Sequence, residues 1–516
     1  MPRASSVVSC LTVILAGPLA GLLVLAGPAL PVGPLAGLLT LAEPALLAAQ
    51  ESPRAQQPTD FTGVQLKNRA PISNEVLKVK FPRPSESRLK NGMELMVLEE
   101  HRSPTIQVEI AVPASSLNDP EGTAISGATA SLIRLGTKTR DARAIAETLS
   151  ALGASISFNI SDRYAYARFS TLTENLDAVM ALMSDMLFNP TFPQDELDKW
   201  KNQQLSQLQQ VRSIPDFLAT ERIAKAMYPD DRRSFVLPTA ESVKSLTRDM
   251  LVAHYTRIYR PDGGRITVLG DVRARDITPK LEALLADWKG AGTKPPQLPL
   301  PGPIKGRTVI LVDRPNSVQT AFYLGNRAFD RRSPDYIPAQ VMNRVLGGGP
   351  ASRLFRNIRE AKGYTYGISS GFAASHYMNM FTLQTSVRTE VTGEALREML
   401  KEFADIRNTP VPADELENAK RALVASFALS TENQATALSN ATQIKEYGFP
   451  ADYWDTYPEK IAAVTAADVQ RVAQKYVPLD DLVIVAVGDG AKIRKVLAEF
   501  GPIDEWDAEG RRRTTP

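Results

Sequence analysis

Short runs of alternating apolar and polar residues predict strands in this chain, and longer runs with a helical period predict helices. Strands are expected at residues 94–98, 105–113, 308–312 and 319–324, and each half closes with another strand, at 265–270 and 482–488. Thr173 is expected to cap a helix, and a further helix starts after Pro193. Because strands are grouped and helices are segregated from them, the pattern favours an α+β fold.

The chain also contains an internal repeat. The phrase NPTFPQDEL at 189–197 is echoed by NTPVPADEL at 408–416, and VLGD at 268–271 is echoed by VGD at 487–489. The two echoes have nearly the same spacing, which predicts two homologous domains, at 75–289 and 306–495. A proline-rich linker, expected to be semi-rigid, joins them at 290–305, and residues 496–516 are expected to be a tail.

The first 50 residues have the composition of an export signal. No charged residue lies between Arg3 and Glu43, and the apolar segment is nearly duplicated, with GPLAGLLVLAGPALPV at 17–32 followed by GPLAGLLTLAEPALLA at 33–48. We expect a signal peptide and a bacterial periplasmic protein. The alternative is a retained membrane anchor, although several prolines argue against one regular helix. Residues 51–74 are polar and are expected to form a flexible lead-in.

Composition excludes several kinds of function. The formal net charge of +3 on 516 residues gives no support for nucleic-acid binding. The single cysteine excludes an internal disulfide and a cysteine-based zinc site, and the chain has three histidines, His101, His254 and His376. No two of them lie four residues apart.

The richest candidate site is the stretch LGGGPASRLFRNIREAKGYTYGISSG at 346–371. Three glycines, Gly347, Gly348 and Gly349, precede a predicted helix at 353–362, and Tyr364 and Tyr366 follow it. Arginine and tyrosine side chains both donate hydrogen bonds to peptide carbonyl or carboxylate oxygens. From the residues alone, the pattern favours a surface charge for Arg359 and a buried strand aromatic for Tyr366. The phrase GISSG at 367–371 matches a serine-hydrolase pattern, but it is expected to lie within a strand.

Several phrases together resemble the pitrilysin/insulinase (M16) family of zinc peptidases, which includes the mitochondrial processing peptidases. They are LGTKTRDARAIAETLSALGASISF, NPTFPQDELDKWK, YRPDGGRITVLGDV and LGGGPASRLFRNIREAKGYTY, within about residues 75–495. The resemblance implies two α+β domains, each a mostly antiparallel sheet backed by helices, that form half of a clamshell around a peptide chamber.

Active members of that family hold zinc with an H-x-x-E-H motif, whose two histidines share a helix face and whose glutamate activates water. The matching positions here are Gly127, Ala130 and Ser131, and the third ligand should fall near Gln207. None of these side chains replaces histidine or glutamate as a zinc ligand. We therefore expect no metal or other cofactor in this chain.

The same resemblance assigns Arg359 and Tyr366 to an arginine/tyrosine pair that binds substrate opposite the zinc. It implies a non-catalytic subunit that supplies this pair in trans to a homologous H-x-x-E-H-bearing partner, which would hold the zinc and cleave peptides. Gly347, Gly348, Gly349 and Tyr364 would help to bind the substrate. A peptide-binding or scaffolding pseudoenzyme without any proteolytic role is the alternative, and a metallopeptidase with a different ligand set is a third possibility. A membrane contact is expected only if the leader is retained.

Overall fold

A computed structural model describes residues 78–229 and 231–513 of the chain. The predicted signal peptide and the predicted lead-in lie outside these residues. Within the described part of the chain, no helix is both long and apolar enough to cross a membrane.

The first half forms one mixed sheet covered by helices. Its strands are β1 Ser85–Arg88, β2 Glu94–Glu99, β3 Thr105–Pro113, β4 Ser155–Ile160, β5 Tyr164–Leu172 and β6 Arg265–Gly270. Its helices are α1 Ile125–Leu132, α2 Ala142–Ala151, α3 Leu176–Phe188, α4 Gln194–Val211, α5 Pro215–Met227, α6 Ala240–Ser245, α7 Arg248–Ile258 and α8 Ala274–Leu284. The strand order is β1-β2-β6-β3-β5-β4, and the β2–β6 pair is parallel while the other pairs are antiparallel.

The second half repeats this plan. Its strands are β7 Thr308–Asp313, β8 Gln319–Arg327, β9 Thr365–Phe372, β10 Met380–Arg388, β11 Val483–Gly488 and β12 Ile503–Asp507. Its helices are α9 Tyr336–Leu346, the π-helix Phe355–Ala361, α10 Thr392–Asn408, α11 Ala413–Ser430, α12 Gln434–Tyr447, α13 Tyr457–Ala462, α14 Ala466–Tyr476 and α15 Gly490–Leu497. The strand order is β12-β7-β11-β8-β10-β9, with β12–β7 and β7–β11 parallel. The predicted α+β fold with two similar, mostly antiparallel sheets is confirmed.

One helix of each half packs against the sheet of the other half. Helix α5 of the first half packs Phe217, Leu218 and Ile223 against β11 and β8 of the second sheet. In return, α12 of the second half packs Leu438 in a cluster with Met96, Leu98 and Leu269 of the first sheet. Strands β6 and β11 are therefore covered on both faces, which explains why every residue in them is buried.

Two local expectations are wrong. Residues 496–516 are not a plain tail, because β12 pairs with β7 at the edge of the second sheet and Arg513 forms an ion pair with Asp313, Nη1–Oδ2 2.5 Å. Thr173 does not cap α3 either. It begins a short 3-10 turn, Thr173–Asn175, and its hydroxyl is directed at Asp271, 3.5 Å away.

Candidate functional site

The helix predicted at 353–362 is present, but most of it has π geometry. Residues Phe355–Ala361 form the π-helix, and Gly363, with a φ of 61°, ends it. Leu354 and Ile358 are completely buried, so the element is fixed to the core of the second half. Phe355 and Arg359, four residues apart, lie on one side of the element.

The guanidinium of Arg359 contacts two aromatic rings. Its central carbon lies 4.6 Å from the ring centroid of Phe355 and 5.0 Å from that of Tyr366. No hydrogen bond or ion pair joins this side chain to any residue that the structure describes. Arginine carries five N–H donors and no acceptor, so the donors of Arg359 are available to a ligand.

The other arginines of the helix predicted at 353–362, and its asparagine, are already engaged. Arg353 donates two hydrogen bonds to the carboxylate of Glu415, at 2.9 and 2.6 Å, and Arg356 contacts the same carboxylate at 3.2 Å. Asn357 donates to Glu398 and Glu402, at 3.0 and 2.8 Å. The hydrogen bond from Asn357 lowers the pKa of Glu398; partial burial opposes this, and Lys362 adds to the lowering. Arg359 therefore differs from Arg353 and Arg356 in having no acceptor among the residues that the structure describes.

Tyr366 points into solvent because β9 contains an irregularity. Ile368 pairs with Thr385 and Thr365 pairs with Val387, so Tyr366 and Gly367 together stand opposite one residue of β10. Regular alternation would put Tyr366 on the same face as the buried Ile368, and the bulge instead turns it outward. Its exposed fraction is 89%. The alternative in which Tyr366 is a buried strand aromatic is therefore wrong.

The three glycines before the π-helix have structural reasons to be small. The carbonyl of Gly347 accepts the N–H of Ser370 at 3.1 Å, and a Cβ on Gly347 would overlap the Ser370 side chain. The carbonyl of Gly348 accepts from Nη1 of Arg344 at 2.6 Å, and Gly349, with a φ of 153°, lies against the same guanidinium. The hydrogen bond between Gly347 and Ser370 joins the end of α9 to β9. The peptide-binding role of the glycines stays a prediction.

Tyr364 is partly buried, and the GISSG phrase lies within a strand. Tyr364 is half-buried against the core of the second half, and its predicted contact with substrate stays a prediction. Residues 367–371 lie wholly inside β9, which is followed by a loop and β10 rather than by a helix. A nucleophile elbow needs a strand-to-helix turn, so this phrase does not form one.

In the first half, the positions that match the zinc motif lie on α1 and α4. Gly127 faces open space and Ala130 is buried, while Ser131 is half-buried. Among the described residues, no group of three or more histidine, cysteine, aspartate or glutamate side chains is arranged to hold a metal ion.

A buried polar network holds α1 from another side. The Thr129 hydroxyl lies 3.1 Å from Nδ1 of His254 on α7, and Nε2 of that ring lies 3.0 Å from Oδ1 of Asp119. Ser126 donates to the same carboxylate, and Arg257 reaches it at 3.0 Å. Burial by itself would raise the pKa of Asp119, but the hydrogen bonds from His254 and Ser126 and the charge of Arg257 hold it below its usual value.

Sequence reasoning missed this network and the part played by Phe355. Asp119 and His254 lie far apart in the chain, so no local pattern joins them. Phe355 stands four residues before Arg359, a spacing that places two side chains on one helix face and was a usable signal. A cavity of about 1350 Å³ between β1 and α8 contains none of the predicted site residues.

Comparison with known families matches both halves of the chain. The profile of "Insulinase (Peptidase family M16)" matches residues 95–236, and that of "Peptidase M16 inactive domain" matches residues 245–423. Together the two profiles span well over half of the chain.

Individual relatives have low sequence identity to this chain, but the matched regions are long. "Uncharacterized zinc protease YmxG" of Bacillus subtilis is 24% identical over 355 residues, which cover 68% of this chain and 85% of the relative. "Non-peptidase homolog YmxG" of Helicobacter pylori is 24% identical over 402 residues, 76% of this chain and 91% of the relative. One of these two relatives is thus named a protease and the other a non-peptidase.

Solved structures agree with the fold. A peptidase M16 inactive domain from Pseudomonas fluorescens superposes with a TM-score of 0.71 at 25% identity and covers 78% of this chain and 98% of that one. A protease from Helicobacter pylori gives a TM-score of 0.70 at 16% identity, covering 79% and 100%. The chain therefore belongs to the insulinase (M16) peptidase family, as a member without the H-x-x-E-H motif.

Proposed function

We propose that this chain is the non-catalytic, substrate-binding subunit of a two-chain zinc peptidase. The partner would be a homologous chain that carries H-x-x-E-H and zinc, and this chain would supply Arg359 and Tyr366 to the peptide bound there. The observation that carries the proposal is the pairing of an unengaged guanidinium with a tyrosine that is 89% exposed, on an otherwise well-anchored element.

The chemistry of the two side chains suits a peptide. The N–H groups of Arg359 can bind a peptide carbonyl or carboxylate through charge-assisted hydrogen bonds. The Tyr366 hydroxyl can donate to the oxyanion that forms when water attacks the scissile amide, and one such donor contributes about 3–4 kcal/mol to lowering the barrier. Neither group activates water, so the attack itself would depend on the partner's zinc and glutamate.

The setting of the site supports the same proposal. Leu354 and Ile358 fix the π-helix to the core, and the contact between Gly347 and Ser370 fixes the loop beside β9. Such a support holds the backbone of both binding residues in place when a ligand arrives. The composition of the first 50 residues supports an exported protein, so we place the complex outside the cytoplasm.

The test is reconstitution with an H-x-x-E-H-bearing homologue from the same genome. The partner alone should cleave an unstructured reporter peptide at least ten times more slowly than the pair, because half of the site is missing. In the pair, Tyr366→Phe should lower kcat about 100- to 1,000-fold, the effect of removing one oxyanion donor. Full activity of the partner alone, or an unchanged kcat for Tyr366→Phe, would refute the proposal.

The second candidate is a peptide-binding or scaffolding protein with no role in proteolysis. This candidate is supported by the name of the Helicobacter pylori relative, which is called a non-peptidase homolog. It would be supported if the purified chain bound the reporter peptide through Arg359 but formed no complex with any H-x-x-E-H-bearing homologue.

A further inference from the structure

We infer that Phe355 is the positioning residue of this site. It would hold the Arg359 guanidinium in a set plane, so that the guanidinium presents its N–H edge to the ligand. The inference rests on the proposed function in one respect, namely that Arg359 binds the peptide. Phe355 would act through its ring contact with Arg359, 4.6 Å from centroid to guanidinium carbon.

The two rings beside Arg359 differ in how firmly they are held. Phe355 packs against the core of the second half and lies directly after the buried Leu354. Tyr366 has an exposed fraction of 89% and stands on a bulge. Phe355 is therefore the fixed platform, whereas Tyr366 is free to move toward a bound peptide.

The ring contact matters because Arg359 has no acceptor among the described residues. An arginine without a partner samples many rotamers, and binding must then fix them at a cost in entropy. An aromatic face attracts the guanidinium and restricts those rotamers before the ligand arrives. A guanidinium that stacks on an aromatic face keeps the N–H donors at the edge of its plane for an oxygen acceptor.

The first experiment measures the guanidinium directly. The full chain is labelled with ¹⁵N-arginine, and the Nε–H resonance of Arg359 is assigned by its loss in Arg359→Lys. In the wild-type chain this proton should be shielded by the ring current of Phe355. Phe355→Leu, which keeps an apolar side chain at the position, should shift it toward the free-arginine value, and Phe355→Tyr should leave it in place. An unchanged resonance in Phe355→Leu overturns the inference.

The second experiment measures peptide binding in the reconstituted pair. Phe355→Leu should raise KM for the reporter peptide about two- to fivefold, the factor that one exposed cation–π contact contributes. The kcat should change less, and Phe355→Tyr should restore KM. A merely structural role would lower thermal stability without this split, and an unchanged KM overturns the inference. If the pair has no activity, the proposed function fails, while the resonance experiment still decides whether Phe355 positions Arg359.

Discussion

Two regions of this molecule carry polar side chains close to a family active-site position, and they use those side chains in opposite ways. On α1 of the first half, Ser126 and Thr129 are bound to the buried pair Asp119 and His254, and every polar group in the network has a partner. On the π-helix of the second half, Arg359 has aromatic contacts but no acceptor within the part of the chain that the structure describes. The first arrangement stabilises the fold, and the second is available to a ligand.

The difference shows how a peptidase half can lose its chemistry and keep its shape. Without ligand side chains at 127, 130 and 131, α1 is still fixed through its contacts with α7. In the second half, no carboxylate among the described residues pairs with the Arg359 guanidinium, which contacts two aromatic rings instead. If both regions were merely structural, Arg359 would be expected to have a partner like those of Arg353 and Arg356.

The largest expected effect on stability is at Asp119. Asp119→Ala should lower the free energy of unfolding by about 3–5 kcal/mol, because it leaves His254 and the Arg257 contact without their buried carboxylate. Urea denaturation monitored by circular dichroism measures this loss. The control is Asp195→Ala, which breaks an exposed pair with Lys199 and should cost less than about 1 kcal/mol. Equal losses for the two variants would contradict a structural role for the network.

A smaller effect is expected at Gly347. Gly347→Ala should cost about 1–3 kcal/mol of unfolding free energy, because the added Cβ overlaps the Ser370 side chain and strains the contact with β9. Gly367→Ala is the matched control, since nothing lies within 4 Å of a Cβ at that position. Thermal unfolding of both variants gives the comparison. If Gly367→Ala is as destabilising, the tight contact at Gly347 is not the reason for the glycine.

The smallest effect is expected from zinc on the wild-type chain. Adding zinc should leave its free energy of unfolding unchanged, because 127 and 131 are glycine and serine. The double variant Gly127→His and Ser131→His places two histidines one helical turn apart, and zinc should then stabilise the chain by about 1–3 kcal/mol at saturating concentration. Stoichiometric zinc in the wild-type chain would show a ligand set that the motif does not describe.

Sequence alone predicted the parts of the fold that follow from local pattern. Strand β3 was expected at the residues where it occurs, and the echo of NPTFP revealed the two halves. The exchange of α5 and α12 between the halves could not be predicted, because it depends on packing between distant segments. Strand β12 could not be predicted, because its sequence IDEWD is rich in acidic residues and has no alternating apolar pattern.

For the site, the sequence indicated which residues matter but not how they are presented. Alternation along β9 would bury Tyr366, and only the bulge opposite β10 exposes it. The helical pattern gave no sign of π geometry, which arises where Leu354 and Ile358 anchor the turn before Gly363. That Arg359 has no acceptor among the described residues is a tertiary property, since the carboxylates on α10 and α11 accept from its neighbours instead.

The central claim is that Arg359 serves a ligand while the other arginines of its element serve the fold. The most direct measurement compares kcat/KM of the reconstituted pair for Arg359→Ala and Arg356→Ala, two arginines on the same element. Arg356 is half-exposed and engaged with Glu415. Arg359→Ala should lower kcat/KM about 100-fold, the loss expected for a charge-assisted contact to substrate, and Arg356→Ala should change it less than about twofold. Equal effects of the two substitutions would contradict the account.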